Sequence, residues 1–179
     1  MKDQNYWDLI NEACLWVGEP YFKNNEDKAN YLVNNLSKLS KEELIGFERF
    51  VVSKVVEADH YNVLALLEIT VGLSGSDDSY LYFRYQLVVQ GQKVFEDAIS
   101  NTDSLAMILN QHFDYADGEW FMYMADKAYT NKFGEPEDCY ELPNAHAEDI
   151  GGYTKGEAWE TEDLPVLFPN LCRKFNYTA

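Results

Sequence analysis

A capping box gives this chain its firmest structural fixed point. In Ser40-Lys-Glu-Glu43 a serine is followed three residues later by a glutamate, so each side chain can satisfy a backbone amide left orphaned at a helix start. Leu39 and Leu44 are placed as the hydrophobic staple of the same motif. Downstream, Leu44, Phe47, Val51 and Val55 recur at helical spacing, and Ile45, Val52 and Val56 widen the stripe. Valines favour strands, yet the box and four turns of sustained periodicity outweigh that preference. A helix from Lys41 to about Asp59 is therefore predicted, and loss of its cap would cost about 1 kcal/mol.

The neighbouring segments follow the same grammar. A first helix starts near Asp3, carries Trp7, Ile10, Cys14 and Val17 on one face, and stops at Gly18 and Pro20. After a polar connection over 21–27, Ala29, Leu32, Val33 and Leu36 mark a second helix. Tyr61 to Val71 is apolar nearly all round, which predicts a helix at the centre of the domain, although the same residues would suit a buried strand. Short helices are expected over Gln92–Ile99 and Ser104–Leu109, the latter capped by Thr102 or Asp103. A longer one introduced by Asp117 and Gly118 holds Trp120, Phe121, Met124 and Ala128 and ends at Gly134. No hairpin signal and no fixed-period repeat appears.

The segment Gly72 to Gly91 concentrates most of the polar chemistry. Gly72 and Gly75 allow the chain to reverse, and Ser76, Asp77 and Asp78 offer oxygens and negative charge to the start of the next helix. Tyr80, Phe83, Leu87 and Val88 share one face, with Arg84 beside it. A guanidinium placed there needs a carboxylate, for which Asp77 and Asp59 are the candidates, because an unpaired buried charge is costly. Asp77, Asp78, Arg84 and the aromatic Trp159 are the candidate binding residues. The competing reading is a helix cap plus an internal ion pair.

Past Gly134 the composition changes. Between Glu135 and Asp163 ten acids face one lysine, interspersed with Pro136, Pro143, Gly151, Gly152 and Gly156. Such a stretch resists regular structure and reads as a long surface loop. Trp159, Leu164, Leu167, Phe168, Leu171 and Phe175 then supply apolar groups for a docked tail, with Pro169 suited to the first turn of a last short helix. The fold expected is mainly α: a single-domain bundle of about seven to nine helices. Its parts are a helical body over 1–134, an acidic loop over 135–163 and a docked tail over 164–179.

Charge narrows the function classes. A chain of 179 residues with 31 acids against 14 lysines and arginines carries a formal charge of −17. Like charges repel, so direct binding to nucleic acid or to an anionic membrane is disfavoured, and the charge fits either an ordinary acidic cytosolic protein or one with a basic protein partner. Cys14, Cys139 and Cys172 are odd in number and widely spaced, which suits a reducing compartment. With no apolar signal core and no run of about 20 apolar residues, a cytoplasmic location is expected.

The search for catalytic chemistry finds no signature. His60, His112 and His146 are scattered and none forms a cluster of metal-ligand spacing, so no metal and no cofactor is expected. Phosphate-binding, dinucleotide and nucleophile-turn motifs are also missing. Two functional readings remain. The leading one is a protein-binding or regulatory module, such as an acidic immunity-type antagonist of a basic toxin. The alternative is an enzyme or small-ligand-binding protein using the Ser76-Asp77-Asp78/Arg84 region.

Several segments together resemble an uncharacterised bacterial family, domain of unknown function 4240. They are Tyr6-Trp7-Asp-Leu-Ile10, Leu36 through Leu44 to Phe47, and Gly75-Ser-Asp-Asp leading to Phe83-Arg84, Leu87, Gln90-Gly91 and Phe95, followed by Asp103-Ser-Leu. Gly156-Glu-Ala-Trp159 through Phe168-Pro169-Asn-Leu171 to Phe175 is similar to the family's C-terminal portion. The family often has Trp where Gln86 stands here. The resemblance implies no established activity, substrate or cofactor. Fusion of some members to a domain called WGR implies a regulatory or recognition role only by association.

Overall fold

Helix boundaries in this protein follow its caps. The computed structural model describes residues 2–18, 21–22, 25–72, 77–110, 118–134 and 154–178. Its α-helices are α1 (Asp3–Val17), α2 (Asn25–Leu36), α3 (Lys41–Glu57), α4 (Tyr61–Val71), α5 (Asp77–Val88), α6 (Gln92–Ser100), α7 (Gly118–Met122), α8 (Met124–Phe133), α9 (Leu164–Leu167) and α10 (Pro169–Phe175). 3-10 helices occupy Thr102–Met107 and Thr161–Asp163. No strand occurs among the described residues, where the one β-type contact is an isolated parallel bridge between His60 and Lys155. The mainly α expectation is met, and α4 resolves as a helix rather than a buried strand.

The capping box at α3 is complete. The Ser40 hydroxyl accepts from the Glu43 amide at 3.3 Å, and the Glu43 carboxylate accepts from the Ser40 amide at 3.0 Å. Gly18 and Gly72 end α1 and α4 in left-handed conformation, which glycine adopts without a steric penalty. More segments form than the seven to nine expected because two runs are interrupted. The chain breaks at Tyr123 between α7 and α8, and at Phe168 between α9 and α10, where Pro169 supplies no amide to continue the preceding turn.

Helix α5 is the element the others surround. It contacts α3, α4, α6 and α7, and from Phe83 to Gly91 every residue is buried, including Arg84, Gln86 and Gln90. The expectation of one apolar face on this helix is therefore too narrow. Packing on all sides requires its polar side chains to find partners inside. Gln90 does so by accepting from Phe22 N at 2.7 Å and Lys28 Nζ at 2.9 Å while donating to the Gln86 carbonyl at 2.9 Å. Close approach of α7 to α5 depends on Gly118, where any Cβ would collide with the Tyr82 carbonyl.

One further detail corrects the sequence reading. Neither Thr102 nor Asp103 caps its own helix: the Thr102 hydroxyl donates to Ala98 O, and Asp103 serves α10 instead. Among the tryptophans of α1 and α7, Trp7 is buried, whereas Trp16 and Trp120 are exposed. Trp16 lies against the Tyr31 ring, and Lys127 sits over Trp120.

Candidate functional site: a cleft beside the α3–α4 corner

The connection between α3 and α4 is held from below by α5. Tyr80 accepts from the His60 amide at 3.0 Å and directs its hydroxyl toward the carbonyls of His60 and Ala58, at 3.1 and 3.2 Å. The Arg84 guanidinium lies 4.7 Å from the centre of the Tyr80 ring, within cation–π range. Its Nη1 faces Asp59 Oδ2 at 3.8 Å and the Val55 carbonyl at 3.4 Å. Burial pulls Arg84 below its ordinary pKa, opposed by Tyr80 and Asp59. Burial likewise pushes the Tyr80 phenol up, so the hydroxyl stays protonated as a donor.

These contacts locate the candidate residues. Asp59 is the carboxylate facing Arg84, and both are buried. Asp78 is exposed on the first turn of α5, while Ser76 and the Asp77 side chain lie outside the described residues. Trp159 belongs to a different structure, on the outer side of the same corner.

The chain from Lys155 onward clamps that outer side. Lys155 donates its amide to Asp59 O at 3.0 Å, accepts from the Tyr61 amide at 2.8 Å, and sends its ammonium to Val56 O at 3.1 Å. Docking thus starts at Lys155 rather than Leu164. Gly156, at φ +88°, lies on the His60 ring, where a Cβ would come within 2.5 Å of a ring carbon. His60 caps α4 through Nδ1, which accepts from the Asn62 amide at 3.1 Å and must therefore be unprotonated. Burial and the nearby Lys155 charge lower the His60 pKa, against a smaller opposing effect of Asp59. Trp159 Nε1 donates to Tyr61 O at 2.8 Å, which fixes its indole plane. Asp103 anchors the far end: one oxygen accepts from the Asn170 and Leu171 amides, both at 2.9 Å, and the other from Asn170 Nδ2 at 2.7 Å. A carboxylate there suits the positive start of α10.

Between these anchors lies a half-open cleft of about 450 Å³, lined by Asn62, Glu157, Ala158, Trp159, Asp163, Val166, Leu167 and Phe168. Val166 is 81 % exposed and Leu167 52 %, a high exposure for adjacent aliphatic residues on one short helix. Glu160 and Glu162, both exposed, add to the acidity of the chain around Glu157 and Asp163. Apolar side chains, a fixed indole and carboxylates along one lining give the cleft two kinds of affinity at once. Among the described residues no group of three or more His, Cys, Asp or Glu side chains could hold a metal ion. No helix among them is long and apolar enough to cross a membrane.

A family model described as protein of unknown function (DUF4240) matches residues 1–131. The chain belongs to this family. No curated protein and no solved structure matches it. The match takes in the capping box, the whole Tyr80–Arg84–Asp59–His60 corner and Asp103, so this DUF4240 body carries the seat of the tail. Residues 154–178, which form most of the cleft wall, lie beyond the matched stretch.

Two buried ionisable groups escaped the sequence reading. Glu48 of α3 is only 5 % exposed, and burial, reinforced by the negative charge of Asp126, pushes its carboxyl up to about 8. The signal was present: Glu48 falls between Leu44 and Val51 at spacings of four and three, inside the apolar stripe. Lys28 is also buried, one turn before Leu32, and burial lowers its pKa. Its ammonium is satisfied by an amide oxygen from a residue 62 positions away, a partner that periodicity cannot reveal.

Proposed function

We propose that this DUF4240 chain is a protein-binding, regulatory module of the cytoplasm that captures a cationic partner, in the manner of an immunity-type antagonist of a basic toxin. The observation that carries this reading is the acid-lined cleft beside Trp159, set on a molecule of formal charge −17. Long-range attraction would gather a basic partner and the apolar side chains would hold it, so association should be fast and salt-sensitive. The alternative, a small-ligand or catalytic site on Ser76-Asp77-Asp78/Arg84, requires Arg84 to be reachable. Arg84 is 6 % exposed between Tyr80 and Asp59, which supports scaffolding instead.

The test is capture by the immobilised chain, followed by binding measurements with each purified captured protein across a range of ionic strength. Partners of positive net charge whose affinity falls steadily with added salt are expected. Neutral or acidic partners, or affinity indifferent to salt, would overturn the reading.

A further inference from the structure

The shape and charge of the cleft specify the kind of segment it takes. We infer that it receives a short stretch of another protein in which one large apolar side chain is flanked by lysine or arginine, the apolar group resting on Val166, Leu167 and Phe168 while the cation meets Asp163, Glu157 and the Trp159 ring. This inference rests on the protein-binding reading above and names the chemistry of the partner.

Size comes first. A volume of about 450 Å³ lies within the range of small-ligand pockets, roughly 300–1,000 Å³, and suits two or three residues of a chain rather than the flank of a long helix. Chemistry comes second. Val166 and Leu167 present apolar area to water where neighbouring tail residues Leu164, Phe168 and Leu171 are buried, and burying such area is the main source of association energy. The Trp159 N–H is already committed to Tyr61 O, so the ring is oriented and offers its π-surface, for which guanidinium is a preferred companion.

Charge then excludes other occupants. An acidic peptide, a nucleic acid or a phosphate would face Glu157 and Asp163 in the lining, with Glu160 and Glu162 nearby. The chain's own preceding stretch, 135–153, carries Glu135, Glu137, Asp138, Glu141, Glu148 and Asp149 and no lysine or arginine, so it has the wrong sign to complement the cleft. An oppositely charged segment of a second protein remains.

The experiment uses the full chain and three capped synthetic peptides of equal length. The first has leucine and phenylalanine flanked by arginine, the second has the same apolar residues flanked by glutamate, and the third is oligolysine. Binding is followed by the indole N–H resonances of Trp7, Trp16, Trp120 and Trp159, with Val166→Ser as the control variant, because a side chain that exposed can be replaced without loss of folding and serine leaves the charge of the cleft unchanged. The first peptide should shift the Trp159 signal selectively and bind Val166→Ser roughly tenfold more weakly, the scale expected for losing one central apolar contact. Equal binding of the glutamate peptide, equal binding of oligolysine, or an unchanged affinity in Val166→Ser would overturn the cleft assignment while leaving a charge-driven binding module standing. Failure of both cationic peptides to bind would overturn the cleft assignment, and salt-independent capture in the preceding experiment would remove the wider reading as well.

Discussion

Replacing Glu48 with glutamine should make this protein more stable, with a gain that depends on pH in a defined way. The folded carboxyl titrates at about 8, against an ordinary value of 4.5. Its folded pKa is raised, so the native state holds a proton that the unfolded chain releases. The stability it contributes is complete below 4.5 and is lost as pH rises toward 8. Each pH unit in that window removes about 1.4 kcal/mol, so at pH 7 the native state has lost about 3 kcal/mol relative to acid. Glutamine keeps the shape of the protonated acid and never ionises. It adds one N–H to a buried position, which costs about 1 kcal/mol if unsatisfied. The expected net gain is about 2 kcal/mol at pH 7, shrinking toward zero or slightly negative near pH 4.5. Urea unfolding of the two proteins at pH 5, 7 and 8 measures it, with the slope of the transition checked for constancy. A Glu48→Gln protein that is less stable at every pH, or a difference that does not change with pH, would show that Glu48 is ionised and paired in the folded protein.

The remaining predictions concern the corner and the tail. Arg84→Ala should lower stability by about 3 kcal/mol by leaving Asp59 buried without its cation, and an unchanged melting temperature would show that the pair contributes nothing. Tyr80→Phe should cost about 1–2 kcal/mol, because the His60 amide and two carbonyls lose a shared partner; amide exchange at His60 would accelerate. Asp103→Ala should cost about 1–2 kcal/mol and release α10, seen as faster amide exchange at Asn170 and Leu171 with the body unaffected. His60 has a folded pKa below its ordinary 6.5, so the stability it contributes is present above 6.5 and is lost as pH falls below that value toward the folded one. Mild acid should therefore loosen the Lys155–Trp159 clamp, followed by Trp159 fluorescence, and His60→Asn, which retains a capping oxygen, should flatten that dependence. Below pH 6.5 the Glu48 and His60 effects oppose each other, whereas above 6.5 only the Glu48 loss remains, so stability should fall steadily as pH rises from 6.5 toward 8.

How much of this was legible beforehand differs from element to element. The boundaries of α3, the glycine stops at Gly18 and Gly72, the helical nature of α4 and the place of Pro169 at the start of α10 all follow from contacts within one or two turns. The sequence also carried the requirement that Arg84 meet a carboxylate, with Asp59 among the candidates. It misassigned Asp103, because a side chain two residues into a helix looks like a local cap. Its actual partners are amides 67 and 68 residues away.

By itself, then, the order of residues determined where helices start and stop, the apolar stripes, and the net charge, since these depend on backbone chemistry and on neighbours within a few positions. Only the tertiary structure decided that α5 would be enclosed on all sides from Phe83 onward, that Glu48 would be held protonated, and that Trp159, Asp163 and Val166 would border one cleft. Those outcomes depend on which distant surfaces exclude water from one another, and desolvation of a side chain is a property of the whole packed arrangement rather than of its local sequence.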